Sequence, residues 1–333
     1  MSNATSLDAA AMQRAALLAD ALAGLSRPQK TLPCKWLYDA EGARLFEAIT
    51  DLPEYYPTRT EMRILEEAGP AIAREVGPGA PLVEFGPGDG EKAVRLLRAL
   101  EAPAAYLPVD IAPEWLEAAA ARVSAALPGL RVWPVVADFS AAFDLAGRLE
   151  GAAAALGFFP GSTIGNFEPQ EAAAFLRRVR AGLGAGVRLL LGADLVKDPA
   201  VLVPAYDDAA GVTAAFNLNL LARLNSEAGA DFDLRAFRHR AVWNPDAERI
   251  EMHIVSLAAQ SVGLAGRVFR FAPGETIHTE NSHKYRPERL RTLAAEAGWA
   301  VAAMWTDPED LFSMWLLEGC DPDRARAARS ALC

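Results

Sequence analysis

The sequence has little of what several common classes of protein need. It contains only three cysteines, Cys34, Cys320 and Cys333, and no C-x-x-C pair, so we expect neither a disulfide framework nor a cysteine zinc site. This usage favours a reducing compartment, and we expect a cytoplasmic protein. No run of 18 apolar residues is present to span a membrane. The N-terminal stretch lacks the basic start and apolar core of a signal peptide.

Positive charge and histidine are also scarce. A formal net charge of -10 is unsuited to a phosphate backbone, so nucleic acid is not an expected partner. The histidines His239, His253, His278 and His283 form no H-x-x-x-H pair, and no metal is expected. The stretch "GSTIG" has threonine where a hydrolase elbow needs serine. With 52% hydrophobic residues the chain can bury a full core, and we expect a monomer of one large domain or two.

A glycine-rich turn is the first positive signal. The stretch "LVEFGPGDGEK", residues 82–92, is a short apolar run followed by Gly86, Gly88 and Gly90 and then the charged start of a helix. Glycine lets a backbone approach a ligand closely, and a helix N-terminus offers unpaired N–H groups. The G-x-G-x-G spacing with Glu84 before it differs from the dinucleotide pattern G-x-G-x-x-G. It resembles the first motif of class I methyltransferases, which bind S-adenosylmethionine.

Two later strand ends carry side chains that fit the same ligand. Asp110 ends the run "AYLPVD", where an acid can accept hydrogen bonds from both ribose hydroxyls. Asp138 and Phe139 follow "RVWPVVA" and resemble the methyltransferase adenine clamp, with the carboxylate near the amine and the ring beside the base. Each acid taken singly is also compatible with a helix N-cap.

The periodicity predicts an α/β fold. Apolar strands alternate with helical patterns between Leu82 and Leu195, which indicates a mostly parallel, Rossmann-like sheet covered on both faces. The runs "GWAVAAMWTDP" and "LFSMWLLEG" fit the antiparallel hairpin that ends a class I methyltransferase sheet. We therefore predict a cofactor-binding core of residues 61–197 and 286–333, and an α+β substrate lobe of residues 5–60 and 198–285. Ligands of open α/β sheets lie at the carboxyl ends of the strands, where such a lobe would form the substrate pocket.

A more specific resemblance covers residues 32–317. The blocks "KWLYDAEGARLFEAITDLPEYYPTRTE", "GSTIGNF", "DLVKDP", "AYDDAAGVTAAFNLNLLARLN", "ADFDL", "ERIEM" and "HTENSHKY" are similar to the histidine Nα-methyltransferases of ergothioneine biosynthesis. These enzymes convert histidine to its trimethylated betaine, hercynine. The resemblance implies S-adenosylmethionine as cofactor, and L-histidine and its methylated intermediates as small-molecule partners.

The resemblance also implies residue roles. S-adenosylmethionine would be held by residues around the three strand ends: Glu84, Gly86, Gly88, Gly90, Lys92, Asp110, Asp138 and Phe139. The substrate would contact an aromatic and polar set, namely Tyr55, Asn166, Tyr206, Met252, Glu280, Asn281, Ser282 and Phe46. Glu280 and Ser282 would take the imidazole, while Asn166 and Tyr206 would bind the amino-acid backbone groups. Asn281 stands where we expect an apolar residue in some relatives.

The chemistry of these residue types agrees with amine methylation. Tyr38, Tyr55 and Asn166 are the candidate catalytic residues, because hydroxyl groups and bound water can orient an amine without a histidine or lysine base. An aromatic wall of Tyr38, Phe46 and Tyr55 would tolerate a trimethylammonium cation.

Other interpretations remain open at this point. The aromatic residues and Met252 could be ordinary core, and Asn166 could cap a helix beginning near Glu168. The same chemistry could act on tryptophan or tyrosine, or the chain could be a non-catalytic S-adenosylmethionine-binding protein.

Overall fold

The computed structural model describes residues 2–139, 141, 143–149, 154–184 and 186–320. They form two compact units. The first unit contains the residues up to Tyr56 together with Lys197–Ser282, and the second contains Pro57–Val196 together with the residues from His283 onward. The last part of the predicted core, residues 321–333, lies outside the described residues.

The secondary structure alternates in the second unit and is mixed in the first. The strands are β1 Lys30–Thr31, β2 Leu82–Phe85, β3 Ala105–Asp110, β4 Arg131–Val132, β5 Val135–Val136, β6 Leu156–Phe159, β7 Arg188–Asp194, β8 Phe237–Asn244, β9 Arg249–Ser256, β10 Gln260–Leu264, β11 Arg267–Phe271, β12 Thr276–His283, β13 Trp299–Thr306 and β14 Phe312–Gly319. The helices are α1 Ser2–Leu25, α2 Ala40–Thr50, α3 Tyr56–Val76, α4 Glu91–Ala99, α5 Pro113–Ala126, α6 Ala146–Leu149, α7 Pro169–Leu183, α8 Pro199–Leu202, α9 Val212–Ala228 and α10 Pro287–Glu296.

The central sheet of the second unit has the strand order β13-β14-β7-β6-β2-β3-β4, with β5 also paired to β3. Its strands from β2 to β7 pair in parallel, whereas β14 runs antiparallel to both β7 and β13. Side chains alternate along each strand, so the sheet buries one apolar layer on each face. Val83 and Phe85 belong to one layer and Leu82 to the other. This architecture confirms the predicted class I methyltransferase sheet with its antiparallel C-terminal hairpin.

The third strand of the predicted sheet is interrupted. The sequence predicts one strand ending at Asp138, but the structure has two short segments, β4 and β5, separated at Trp133 and Pro134. Proline has no N–H to donate to a neighbouring strand, so it breaks the ladder. The chain stays beside β3, because the Ala137 N–H donates to the Asp110 carbonyl at 2.9 Å. Asp138 therefore still lies next to the end of β3.

The first unit is built around a second sheet, with the order β1-β12-β9-β8. The β1 and β12 strands are parallel, and β8 and β9 are antiparallel. Helix α9 packs on β8 and β9, and a separate antiparallel hairpin joins β10 to β11. This part of the chain therefore contains both helices and a sheet, as an α+β architecture requires.

Within the described part of the chain, every helix is too short or too polar to cross a membrane.

Candidate active site

The glycine turn after β2 has the backbone that its sequence predicts. Gly86, Gly88 and Gly90 have φ values of 69°, 54° and 80°, which favour glycine over other residues. A Cβ atom on Gly90 would lie 2.9 Å from the Cα of Ala119, so this glycine is needed for the packing of α4 against α5. No described atom lies within 4 Å of a Cβ built on Gly88. The middle of the turn therefore faces open space.

Glu84 places a buried carboxyl group next to this turn. It is fully buried, and its Oε2 accepts a hydrogen bond from the Tyr106 hydroxyl. Burial raises the pKa of Glu84 to about 8, although the Tyr106 hydrogen bond opposes the rise. Its Oε1 has no hydrogen-bond partner among the described residues. A buried acceptor beside an open glycine turn fits a ligand that carries hydrogen-bond donors, and the hydroxyls and ammonium of S-adenosylmethionine are such donors.

Lys92 is held in an ion pair rather than pointing freely from α4. Its Nζ lies 2.5 Å from Oε2 of Glu61, which is fully buried. Both Glu61 oxygens also accept from the Gly161 N–H at 2.9 Å. A Cβ atom on Gly192 would lie 2.2 Å from Glu61 Oε1, so glycine is needed there. Sequence reasoning missed Glu61, because one acid in the amphipathic helix α3 gives no sign that it is buried.

The other two strand ends border the same turn. Asp110 ends β3, and its Oδ1 accepts from the Ala112 N–H at 2.9 Å. The N-cap of α5 is Ala112, so the alternative role of Asp110 as that cap is wrong. A Cβ built on Gly86 would be 4.0 Å from Cζ of the half-buried Phe139 ring, while Asp138 is exposed. Their contact with the cofactor stays a prediction.

Asn166 lies in the second unit, at the end of a 3-10 turn, Thr163–Asn166. Helix α7 is capped by Glu168, whose N–H donates to Glu171 Oε2 at 3.0 Å, so Asn166 is not the cap. A Cβ on Gly165 would lie 2.7 Å from the His283 carbonyl, so the backbone beside Asn166 is closely packed. Asn166 itself is half-buried, which leaves its amide able to meet a ligand.

The predicted aromatic residues of the first unit form one cluster. Tyr38 and Phe46 meet edge-on with ring centroids 5.5 Å apart, and Phe46 lies 6.2 Å from Tyr55. Tyr55 in turn lies 6.2 Å from Tyr206. Phe216 of α9 completes the cluster at 5.5 Å from Tyr38. Sequence reasoning missed Phe216, although it stands in one of the matching blocks.

Polar groups meet this aromatic cluster. The Tyr206 hydroxyl and Ser282 Oγ are 2.8 Å apart, and Glu280 is nine-tenths buried. Burial raises the pKa of Tyr38 well above its usual range, and the nearby charge of Glu280 raises it further. Tyr38 is therefore protonated at neutral pH, and Glu280 is close enough for its charge to act on the Tyr38 hydroxyl.

Met252 is buried on β9. Its carbonyl accepts a hydrogen bond at 3.0 Å from the hydroxyl of Thr279, which lies on the neighbouring strand β12. Asn281 is half-buried between Glu280 and Ser282, and its contact with the substrate stays a prediction.

A buried polar chain from α9 holds the cluster in place. The amide nitrogen of Asn217 donates to His239 Nδ1 at 2.8 Å, so His239 Nε2 donates to the Tyr206 carbonyl, also at 2.8 Å. Burial lowers the pKa of His239, which keeps the ring neutral for this arrangement. Asn219 donates to Asp39 beside Tyr38 at 2.7 Å. In the sequence, these supporting contacts are indicated by Asn217 and Asn219, two polar residues in an otherwise apolar helical stretch.

Comparison with known proteins identifies the kind of enzyme that this chain resembles. A family model described as histidine-specific methyltransferase, SAM-dependent, matches residues 17–319. A histidine N-alpha-methyltransferase of Mycolicibacterium smegmatis is 46% identical over 306 residues, covering 90% of this chain and 94% of that protein. The Mycobacterium tuberculosis protein of the same name is 41% identical over 306 residues, with the same coverage of 90% and 94%. Ergothioneine biosynthesis protein 1 of Neurospora crassa is 29% identical over 295 residues, covering 83% of this chain and 32% of that protein.

Proposed function

Because the chain belongs to the family of histidine-specific, S-adenosylmethionine-dependent methyltransferases, we propose that it transfers three methyl groups to the α-amine of L-histidine. The product would be hercynine, for ergothioneine biosynthesis. The observation that carries the proposal is the cluster of the first unit, in which aromatic rings meet Glu280 and the hydrogen-bonded Tyr206–Ser282 pair. The names of the relatives support the substrate and the pathway.

The second unit holds the cofactor in this proposal. The open glycine turn admits the ligand, Glu84 offers a buried acceptor, and Asp110 offers a carboxylate for the ribose hydroxyls. Phe139 offers a ring face for the adenine. When bound, S-adenosylmethionine supplies an electrophilic methyl group.

Selectivity for histidine rests on Glu280 and Ser282. An imidazole presents two polar nitrogens, which a carboxylate and a hydroxyl can address. An apolar side chain in the same place would leave the buried Glu280 carboxylate without that partner, at a cost of about 1–3 kcal/mol. Tyr206 and Asn166 would bind the amine and carboxylate that every amino acid carries, so they position the substrate without selecting it.

Tyr38 and Tyr55 would orient the amine. The α-amine has an ordinary pKa of about 7.7–8.0, so one proton must leave before each attack. Tyr38 is protonated, because burial and Glu280 raise its pKa, so it is not a phenolate base. In the first two transfers its hydroxyl oxygen can instead accept an amine N–H and direct the lone pair, while water carries the proton away.

Mass spectrometry tests this function. The purified protein is incubated with S-adenosylmethionine and an equimolar mixture of the twenty amino acids. We expect a gain of three methyl groups on histidine alone. Methylation of tryptophan or tyrosine instead would overturn the assignment of Glu280 and Ser282, and histidine that gains only one or two methyl groups would overturn the proposed product.

A pair of variants tests the selectivity residue. Glu280→Ala should lower kcat/KM for histidine about 10-fold or more while S-adenosylmethionine binding is unchanged. Glu41→Ala is the matched control, because it removes an exposed carboxylate of the same unit that pairs with Arg44. Equal loss of activity and cofactor affinity in Glu280→Ala would contradict the role.

A further inference from the structure

Three residues with metal-binding side chains meet on the sheet of the first unit. Glu251 and His253 are two positions apart on β9, so they share one face of the strand, and His278 comes from the adjacent β12. One potential ligand atom from each residue lies within 4.8 Å of the other two. The two imidazole rings are stacked, with centroids 4.7 Å apart.

The carboxylate of Glu251 is held with one oxygen toward His253. Its Oε1 accepts from Asn244 Nδ2 and Arg249 Nε, both at 2.9 Å. Its Oε2 lies 3.1 Å from His253 Nε2. Outer groups that fix a ligating carboxylate in this way are a regular feature of metal sites.

Each of the two imidazoles also presents a ring nitrogen to the cluster. His278 Nε2 donates to the Glu280 carbonyl at 3.1 Å, so Nδ1 carries the lone pair that a metal needs. His253 Nδ1 has no hydrogen-bond partner among the described residues.

We propose that Glu251, His253 and His278 bind one divalent ion of a first-row transition metal such as Zn²⁺. Two histidines and one carboxylate are a common three-residue set for this class of ion, with water in the fourth position. Zinc bonds of about 2.0–2.2 Å bring ligand atoms to roughly 3.3 Å from one another, so small side-chain rotations close the site.

Neighbouring positive charge limits the affinity. Arg240 stands opposite His253 in the β8–β9 register, and Arg249 pairs with Glu251 at 2.8 Å. Both charges repel a cation. We therefore expect a dissociation constant in the micromolar range rather than the far tighter binding of a closed structural zinc site.

An ion at this site would also affect two of the proposed substrate residues, Met252 and Glu280. Met252 lies between two of the ligands in sequence, and the carbonyl of Glu280 orients the third. An ion that ties β9 to β12 would restrict the backbone that carries both residues. We expect it to strengthen histidine binding without taking part in methyl transfer.

Metal titration tests the site. The full chain is stripped of metal, and Zn²⁺ is titrated against a chromophoric chelator with no histidine present, because free histidine itself binds zinc. We expect one equivalent to bind. His253→Ala and His278→Ala should each weaken binding by about 10-fold or more. Binding of Co²⁺ should give visible absorption bands that both variants lose.

Two further variants keep the result interpretable. His283→Asn changes a histidine outside the cluster and should bind zinc like the unaltered protein. Glu251→Gln keeps the side-chain shape and an amide oxygen to accept from Arg249, and it should also lose zinc affinity. Failure of the unaltered protein to bind one equivalent would overturn the proposal, as would unchanged affinity in Glu251→Gln or in a folded His253→Ala or His278→Ala variant.

Discussion

Glu84 shows how one buried side chain can make stability depend on pH. It is fully buried beside the glycine turn, and burial raises its pKa to about 8 from an ordinary value of 4.5. Between these two values the folded protein keeps a proton that the unfolded chain has released. The free energy of unfolding therefore falls as pH rises through this window, by up to about 1.4 kcal/mol per pH unit, and levels off above it.

Glu84→Gln should remove this dependence in the cofactor-free protein. Glutamine cannot ionise, yet its carbonyl oxygen can still accept from Tyr106. We expect the stability of the variant relative to the unaltered protein to increase between pH 5 and pH 8, measured by urea unfolding. Glu101→Gln, an exposed change in the same unit, should show no such trend. If the free energy of unfolding changes with pH in the same way for Glu84→Gln and the unaltered protein, the assigned pKa is wrong.

Phe46 should matter most for the last methylation. Its ring lies 5.5 Å from Tyr38 in the aromatic cluster, and π faces stabilise a cation by about 0.5–2 kcal/mol. Phe46→Leu keeps an apolar side chain but removes the ring, so the ratio of dimethylated to trimethylated histidine should rise about 2- to 30-fold. Mass spectrometry of the products measures this ratio. Phe269→Leu changes a buried ring of the same unit outside the cluster, and an equal rise there would refute the explanation.

At the scale of elements, Glu61 connects four parts of the second unit. It comes from α3, pairs with Lys92 on α4, accepts from Gly161 after β6, and fits against Gly192 of β7. Its removal would leave Lys92 without this counter-charge and the Gly161 N–H without this acceptor. Breaking a buried ion pair in this way is strongly destabilising.

We expect Glu61→Ala to reduce the free energy of unfolding by about 3–5 kcal/mol. Glu61→Gln should cost less, because its amide oxygen can still accept from Gly161. Gly192→Ala should also destabilise, since its Cβ would lie 2.2 Å from Glu61 Oε1. Urea unfolding measures the loss of unfolding free energy in each of the three variants. A cost for Glu61→Ala no larger than that for Glu61→Gln would show that the hydrogen bond from Gly161 contributes little, and a cost below about 1 kcal/mol for both variants would show the same of the ion pair with Lys92.

The elements were predictable from the sequence where the signal is local. Apolar runs such as "PLVEF" and "VRLLLGAD" give the sheet, and glycine at every second position gives the turn. The break between β4 and β5 follows from Pro134. The apolar pattern alone predicts one continuous strand there. Contacts such as Asn217 with His239 could not be predicted, because they join residues that are distant in sequence and have no shared local pattern.

At the scale of the whole molecule, the two proposed ligands have their binding groups mainly in different units. The glycine turn, Glu84 and Asp110 belong to the second unit, while the aromatic cluster and Glu280 belong to the first. Asn166 is the exception, since it is a proposed substrate residue in the second unit. A ligand that binds only the folded state slows the opening of the structure around it. Each ligand should therefore leave its own pattern of protection.

Hydrogen exchange of the full chain can measure these patterns. S-adenosylhomocysteine, the unreactive cofactor product, should slow amide exchange in residues 82–92 and 105–112. Histidine alone should slow exchange in residues 38–56 and 276–282, and in the turn that carries Asn166. Asp110→Ala should weaken only the first pattern and Glu280→Ala only the second, because each removes a group proposed to bind one ligand. Protection of residues 82–92 by histidine, with none in 276–282, would show that the two sets of residues have been assigned to the wrong ligands.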